Sequence, residues 1–194
     1  MKKEFYNAAY IAIFGTLWGL VEILLGNVLH LFDVPFKGTI LSALACIICL
    51  VGGKLLPSKN KFPIISMGII AILLRLLSFG VFKIHIFISM FTAAVLMQVA
   101  VSLMGYNLVG FIAAGILASF SPYIFSLLFF GLIYGQSILV LYHGILKEHN
   151  AVSFFIHGGI YIAVFIFFLN LVIGVLSGIA AFYFGKKLQH VQNT

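Results

Sequence analysis

Long apolar stretches separated by short polar breaks constrain this chain more than any other feature of its sequence. A helix needs about 20 predominantly apolar residues to cross the hydrocarbon core of a bilayer, and six stretches qualify: approximately 5–30, 38–56, 63–79, 84–104, 107–134 and 153–184. Only 8% of the 194 residues are charged, whereas a soluble domain usually carries about 25%. The sequence therefore predicts an all-α, polytopic membrane protein whose six transmembrane helices form a single integral membrane domain, residues 1–194.

The lysines are distributed unevenly between the two sides that six spans would create. Seven share one side: Lys2, Lys3, Lys54, Lys59, Lys61, Lys186 and Lys187. Three share the opposite side: Lys37, Lys83 and Lys147. Because cytoplasmic loops carry the excess of basic residues, this distribution predicts a multi-pass protein of the cell (plasma) membrane with both termini in the cytoplasm.

The net charge of +7 falls in these short loops, as membrane topology requires, so it does not indicate nucleic-acid binding. No large soluble domain separates the apolar segments, and no GxxxxGK[ST] phosphate-binding loop occurs. Uphill transport by this chain would therefore take its energy from an ion gradient or from partner subunits.

Glu22 and Arg75 are the only formally charged residues well inside the predicted spans, and they fall at similar depth in the outer halves of helices 1 and 3. An ionisable group inside a bilayer costs roughly 2.5–3.5 kcal/mol on insertion scales, so it usually faces the bundle and has a partner. We therefore expect the two side chains to approach each other or to bind one ligand between them. A structural ion pair that fixes helix 1 to helix 3 is the alternative.

Further polar side chains gather on the same outer side of the predicted bundle. The expected substrate-binding residues are Glu22, Arg75, His30, Trp18, Asn27 and His85. Within this set we expect Glu22, Arg75 and His30 to act as polar anchors, and Trp18 or other aromatic residues to stack on a flat ring of the solute. The segment 31–38 is predicted to form a lid over them, with the residues Asp33, Pro35, Phe36, Lys37 and Gly38.

Catalytic and metal-binding motifs do not occur in the sequence. No HxxxH, HExxH or GxSxG spacing is present, and the CxxC of Cys46 and Cys49 lies in the middle of an apolar helix without a second pair. The sequence therefore predicts a protein that is not an enzyme and has no catalytic residue, no metal ligand and no cofactor.

Helix 1 carries a stripe of residues at spacings of 4, 3, 4, 3 and 4, all small except Glu22: Ala8, Ala12, Gly15, Gly19, Glu22 and Gly26. Small residues let another membrane helix approach closely. The stripe predicts a docking face for a partner subunit, formed by Ala8, Ala12, Gly15 and Gly19. Packing against other helices of the same chain is the alternative.

These features together resemble the substrate-binding S component of energy-coupling factor (ECF) transporters. The resemblance covers the whole chain as architecture, and Ala8 and Ala12 match the AxxxA spacing of that family's first helix. It implies that this face meets a transmembrane coupling subunit that works with two ATPase subunits. It also implies a small organic solute, a vitamin or a precursor, that binds near the outer surface.

The segment from Trp18 to Gly38 is also similar to a group of bacterial membrane proteins that share a WGxxE…LGxxLHxxxxPFxG pattern. The matching residues are Trp18, Gly19, Glu22, Gly26, His30, Pro35, Phe36 and Gly38. The metal-specific S components carry a histidine close to the N-terminus, and Met1-Lys2-Lys3 lacks one. The resemblance therefore favours an organic solute over nickel or cobalt.

The expected function is capture of a small organic solute from outside, followed by ATP-driven uptake through partner subunits. Two other functions are left open by the sequence. One is a stand-alone ion-coupled transporter or channel with Glu22 as the proton site. The other is a structural or assembly protein without a small ligand, in which Glu22 and Arg75 form a clamp.

Overall fold

Six α-helices make up nearly all of the part of the chain that the computed structural model describes, which is residues 2–32, 36–56, 62–77, 84–134 and 152–192. They are α1 (Lys2–Leu31), α2 (Lys37–Leu55), α3 (Pro63–Leu77), α4 (Ile84–Met104), α5 (Leu108–Tyr134) and α6 (Val152–Gln192). No strand occurs within these ranges. The predicted all-α fold is therefore confirmed.

Four stretches within these helices are long and apolar enough to cross a membrane: Lys3–Leu29, Lys37–Leu55, Ile86–Met104 and Val164–Val191. Pro63–Leu77 and Leu108–Pro122 are shorter apolar helical stretches, and the backbone of α5 continues as helix to Tyr134. The large apolar side chains on the outside of these helices, such as Leu24 and Phe165, fit a lipid environment. The architecture is that of a helical membrane bundle.

The last helix is longer than the sequence predicts. Helix α6 ends at Gln192, eight residues beyond the predicted end at Phe184. Gly185 lies within this helix and packs on Lys54 of α2: a Cβ atom at position 185 would lie 3.0 Å from the Lys54 Cδ. The exposed polar residues that follow continue the helix past the apolar stretch.

Helix α2 lies at the centre of the bundle, since it contacts each of the other five helices, and the outer helices touch in the order α1, α3, α4, α5, α6. Its two ends define the two ends of the molecule. At the first, Gly38 packs on Pro122 of α5, Thr39 bonds to Asn170 of α6, and Leu41 lies beside Gly26 of α1. At the second, Gly52 packs on Phe14 of α1, Gly53 on Tyr106, and Lys54 on Phe182 and Gly185 of α6.

These contacts make α2 antiparallel to α1 and α5 and parallel to α6. The first end, where α1 and α3 finish and α2 begins, is called here the Arg75 end. The second, where α1 begins and α6 finishes, is called the Lys54 end. Both ends of the described chain therefore lie at the Lys54 end.

Glycines bring α5 and α6 into backbone contact. Gly174 and Gly178 form a GxxxG pair on α6, and a Cβ atom at position 178 would lie 2.7 Å from the Cα of Ile112 and closer still to the carbonyl oxygen of Phe111. A Cβ atom at Gly115 of α5 would likewise lie too close to the carbonyl oxygen of Gly174. Close approach of this kind is how membrane helices gain packing contacts without a hydrophobic driving force between them.

Candidate functional site

Glu22 lies in the middle of the apolar helix α1, and its side chain is only 7% exposed. The Nε1–H group of Trp18, one turn earlier on the same helix, donates a hydrogen bond of 3.3 Å to its Oε1. Trp18 and Glu22 share a helix face because residues four apart lie one above the other. The carboxylate is thus held inside the bundle on the side of α1 that faces α3.

Arg75, in the last turn of α3, reaches across to α1. Its Nη1 donates a hydrogen bond of 2.9 Å to the main-chain carbonyl oxygen of Glu22 and a longer one of 3.5 Å to the Oδ1 of Asn27. The guanidinium charge also acts on the Glu22 carboxylate. The expectation that Glu22 and Arg75 come together is confirmed, and the 2.9 Å bond joins the arginine to the backbone of α1.

Gly26 lies beside this contact. In a helix the carbonyl of Glu22 faces the N–H group of Gly26, so any side chain at position 26 stands beside the incoming guanidinium. A Cβ atom there would lie 3.9 Å from both Nη1 and Nη2 of Arg75 and 3.6 Å from Leu41. The three helices α1, α2 and α3 therefore meet around Gly26, and the guanidinium adds a charge-assisted bond worth about 1.5–3 kcal/mol where it is shielded from water.

The structure does not support the predicted stacking role of Trp18. The indole is 1% exposed, and a Cβ atom at Gly68 of α3 would lie 3.1 Å from its Cζ3 atom. The ring fills the space that this glycine leaves between α1 and α3, and its N–H group is directed at Glu22. Trp18 therefore positions the carboxylate and packs the core, and its faces are closed to a solute.

The stripe of small residues on α1 divides into two parts. A Cβ atom at Gly15 would lie 2.9 Å from the Cβ of Ile70, and one at Gly19 would lie 2.9 Å from the Cδ1 of Leu74. These two glycines are buried against α3, so their predicted part in docking a partner is wrong: α3 of the same chain already occupies that face. Ala8 and Ala12, by contrast, are exposed.

Part of the predicted lid belongs to a helix. Lys37 and Gly38 form the first turn of α2, because the N–H group of Ile40 donates to the carbonyl oxygen of Phe36 at 3.1 Å. The backbone of Phe36 has a left-handed conformation, with φ 59°, and its side chain is exposed. Asp33 and Pro35 lie outside the described residues, as do the side chains of His30 and His85.

A second polar cluster, which the sequence predictions did not include, lies between α2, α5 and α6. The Thr39 hydroxyl donates to the Oδ1 of Asn170 at 2.9 Å, and the Nδ2 of Asn170 donates to the carbonyl oxygen of Ile166 at 2.8 Å. Asn170 is 1% exposed. An amide inside a long apolar run is itself a signal, because such a group needs a partner in the bundle.

Gln98 of α4 has a structural role. Its Oε1 accepts a 3.0 Å bond from the N–H group of Ile64, and its Nε2 donates to the Ser102 hydroxyl at 3.1 Å. Ile64 is in the first turn of α3, where backbone N–H groups have no partner inside their own helix. The glutamine therefore caps α3 from the neighbouring helix.

Within the described residues no three His, Cys, Asp or Glu side chains come together in a way that could hold a metal ion. Comparison with protein-family models, with curated proteins and with solved structures finds no match to this chain.

Proposed function

We propose that this chain is the substrate-binding membrane subunit of an ECF-type transporter, which captures a small organic solute at the Arg75 end for ATP-driven uptake by partner subunits. One observation carries the proposal. A carboxylate and a guanidinium, each costly to place among apolar helices, lie together at one end of the bundle, and the guanidinium is only half buried.

The polar groups there suit recognition of a solute that carries hydrogen-bond acceptors. Asn27 is exposed, and at 3.5 Å its bond from Arg75 is at the limit of hydrogen-bond distance. An oxygen atom of a solute can take the place of the Asn27 Oδ1 as the acceptor, and a carboxylate would do so most strongly. Ligand sites typically combine apolar walls with a few placed polar groups, and His30 and His85 are further candidates at this end.

The proposed partners act at the opposite end. Ala8 and Ala12 remain exposed there and would meet a transmembrane coupling subunit, which in turn would bind two ATPase subunits. The lysine distribution supports a cytoplasmic position for this end, and the Arg75 end would then face outward.

The decisive experiment is native mass spectrometry of the protein purified from its membrane in mild detergent. We expect a retained small molecule that is lost from Arg75→Gln. Lys187→Gln, which removes an exposed positive charge at the Lys54 end, is the matched control and should retain the molecule. Equal retention by the wild type and Arg75→Gln would place the solute elsewhere, and proton-dependent flux through the chain alone would support an ion-coupled transporter instead.

A structural clamp is the second candidate, because the bond from Arg75 to the main chain of Glu22 joins α1 to α3 whether or not a solute is present. The clamp predicts that the wild-type protein retains no small molecule. It also predicts that Arg75→Gln unfolds at a lower temperature than the wild type. A wild-type protein with a bound solute would contradict the clamp as its only role.

A further inference from the structure

Ser119 of α5 differs from two other buried serines of the bundle, Ser121 and Ser177. The Ser121 hydroxyl donates to the carbonyl oxygen of Ser89 at 3.1 Å, and the Ser177 hydroxyl donates to that of Gly174 at 2.9 Å. Ser119 is 0% exposed, and its Oγ has no hydrogen-bond partner among the residues that the structure describes. A buried hydroxyl without a partner costs about 1–3 kcal/mol by mutational data. Such a group in a native protein calls for an explanation, and a bound water molecule or ion is one.

The register of α5 on α6 places Ser119 beside the second polar cluster. On one side of it Gly115 lies against Gly174, and on the other the ring of Phe120 lies 5.0 Å from that of Phe167. Asn170 stands at the matching position of α6, between those two contacts. Ser119 and Asn170 therefore share the same level of the bundle.

Helix α2 completes the surroundings from the third side. Thr39 bonds to Asn170, and its neighbour Gly38 packs on Pro122 of α5, where a Cβ atom would lie 3.2 Å from the proline Cβ. Pro122 has no N–H group, so it gives no bond to the carbonyl of Ala118, one turn before it and next to Ser119. The Ala118 carbonyl therefore lacks its usual helical donor beside the Ser119 hydroxyl, where α2, α5 and α6 meet.

We propose that this junction binds one buried water molecule, which joins the Ser119 hydroxyl to the Thr39–Asn170 pair. The Thr39 hydroxyl has donated its proton, so its oxygen still accepts, and Asn170 keeps one N–H donor and one lone pair. A water molecule needs two to four such partners. Because every group here is neutral, water fits better than an ion, whose charge would lie unbalanced inside the bundle. This site is separate from the proposed solute site.

The substitution Ser119→Ala tests the proposal by the sign of its effect on the unfolding temperature. If water is bound, the change removes one of its partners and lowers the midpoint by about 2–4 °C, the shift expected for one lost hydrogen bond in a chain of this size. Ser121→Ala, which loses a direct bond, calibrates that shift. If no water is bound, Ser119→Ala removes only an unpaired hydroxyl and raises the midpoint, which overturns the proposal.

Two further measurements distinguish a bound water molecule from a bound cation. A high-resolution structure should show one peak of solvent density within hydrogen-bond distance of the Ser119 Oγ, and its absence contradicts the proposal. Thermal scans in sodium chloride and in choline chloride at equal ionic strength should coincide. If sodium raises the midpoint of the wild type but not that of Ser119→Ala, the junction binds a cation and the water proposal is wrong.

Discussion

The packing of α5 on α6 yields a prediction in which two glycine-to-alanine substitutions change stability in opposite directions. At Gly178 a Cβ atom would lie 2.7 Å from the Cα of Ile112 and nearer still to the carbonyl oxygen of Phe111. Both are backbone atoms, which cannot turn aside as a side chain does. To restore an ordinary contact of about 3.4 Å or more, the two helices have to separate by at least about 0.7 Å at this level, and a gap of 0.5–1 Å forfeits a quarter to a half of the local dispersion attraction.

Two opposing energies set the expected magnitude for Gly178→Ala. Overpacking costs typically 1–3 kcal/mol, and the upper part of that range applies because backbone atoms are involved. Alanine in a helix gains about 1 kcal/mol over glycine. The net expectation is a loss of about 1–2 kcal/mol.

Gly26→Ala is the matched control. A Cβ atom at position 26 would lie 3.6 Å from the Cδ1 of Leu41, which is an ordinary contact, so the helix preference of alanine is not opposed. We expect a gain of up to about 1 kcal/mol. The two variants should differ by roughly 1–3 kcal/mol, or roughly 2–12 °C in midpoint for a chain of this length.

The two cysteines supply the assay. Cys46 and Cys49 on the central helix are free and 0% exposed, so a thiol-reactive fluorescent dye reacts with them only when the bundle opens. Thermal scans with such a dye report the midpoint of each variant in the same detergent. A midpoint for Gly178→Ala at or above that of the wild type would refute the close backbone contact between α5 and α6.

Three further substitutions test single contacts. Burial, with a smaller contribution from nearby Cys49, raises the pKa of Tyr106 to about 12 from about 10. The tyrosine of the unfolded chain therefore ionises first, and the folded protein should lose stability between about pH 10 and 12. Tyr106→Phe should flatten that loss in curves of unfolding midpoint against pH, and an unchanged curve would contradict the raised pKa. Thr39→Val leaves the Oδ1 of Asn170 without its donor and should cost about 1–3 kcal/mol in the thermal scan; no change would mean that the bond contributes nothing. Gln98→Leu removes the cap of α3 and should speed amide hydrogen exchange at Ile64, whereas unaltered exchange would show that another group caps that helix.

The helical fold was predictable because the length of each apolar run in the sequence indicates the length of the helix. Each span needs a long apolar run with turn-forming residues at its ends, and five of the six helices begin and end within three residues of the predicted bounds. The exception is α6. Its polar extension after Phe184 has no apolar pattern, and the contact between Gly185 and Lys54 depends on a helix that is distant in sequence.

The direction of a side chain around the helix axis was less predictable. In a soluble helix the polar face marks the outside, but lipid is as apolar as the bundle interior, so the apolar residues do not reveal which side faces the neighbours. Nothing in the sequence placed the ring of Trp18 against Gly68. The spacing from Ala8 to Gly19 is regular, yet only the glycines pack on α3, because that helix begins at Pro63 and Ala8 lies near the end of their contact.

The negative charge of Glu22 is the feature that its structural contacts explain least. A glutamine at position 22 would accept the same bond from Trp18 and would offer Arg75 the same main-chain oxygen, since neither bond requires a carboxylate. If the clamp were the only role, Glu22→Gln would keep the unfolding temperature and would avoid part of the roughly 2.5–3.5 kcal/mol that a charge costs in the bilayer. We therefore expect Glu22→Gln to unfold at or slightly above the wild-type temperature and to lose the retained solute in native mass spectrometry. A clear drop in unfolding temperature would instead show that the charge serves to balance Arg75, and the case for a solute site would then rest on Arg75 and Asn27 alone.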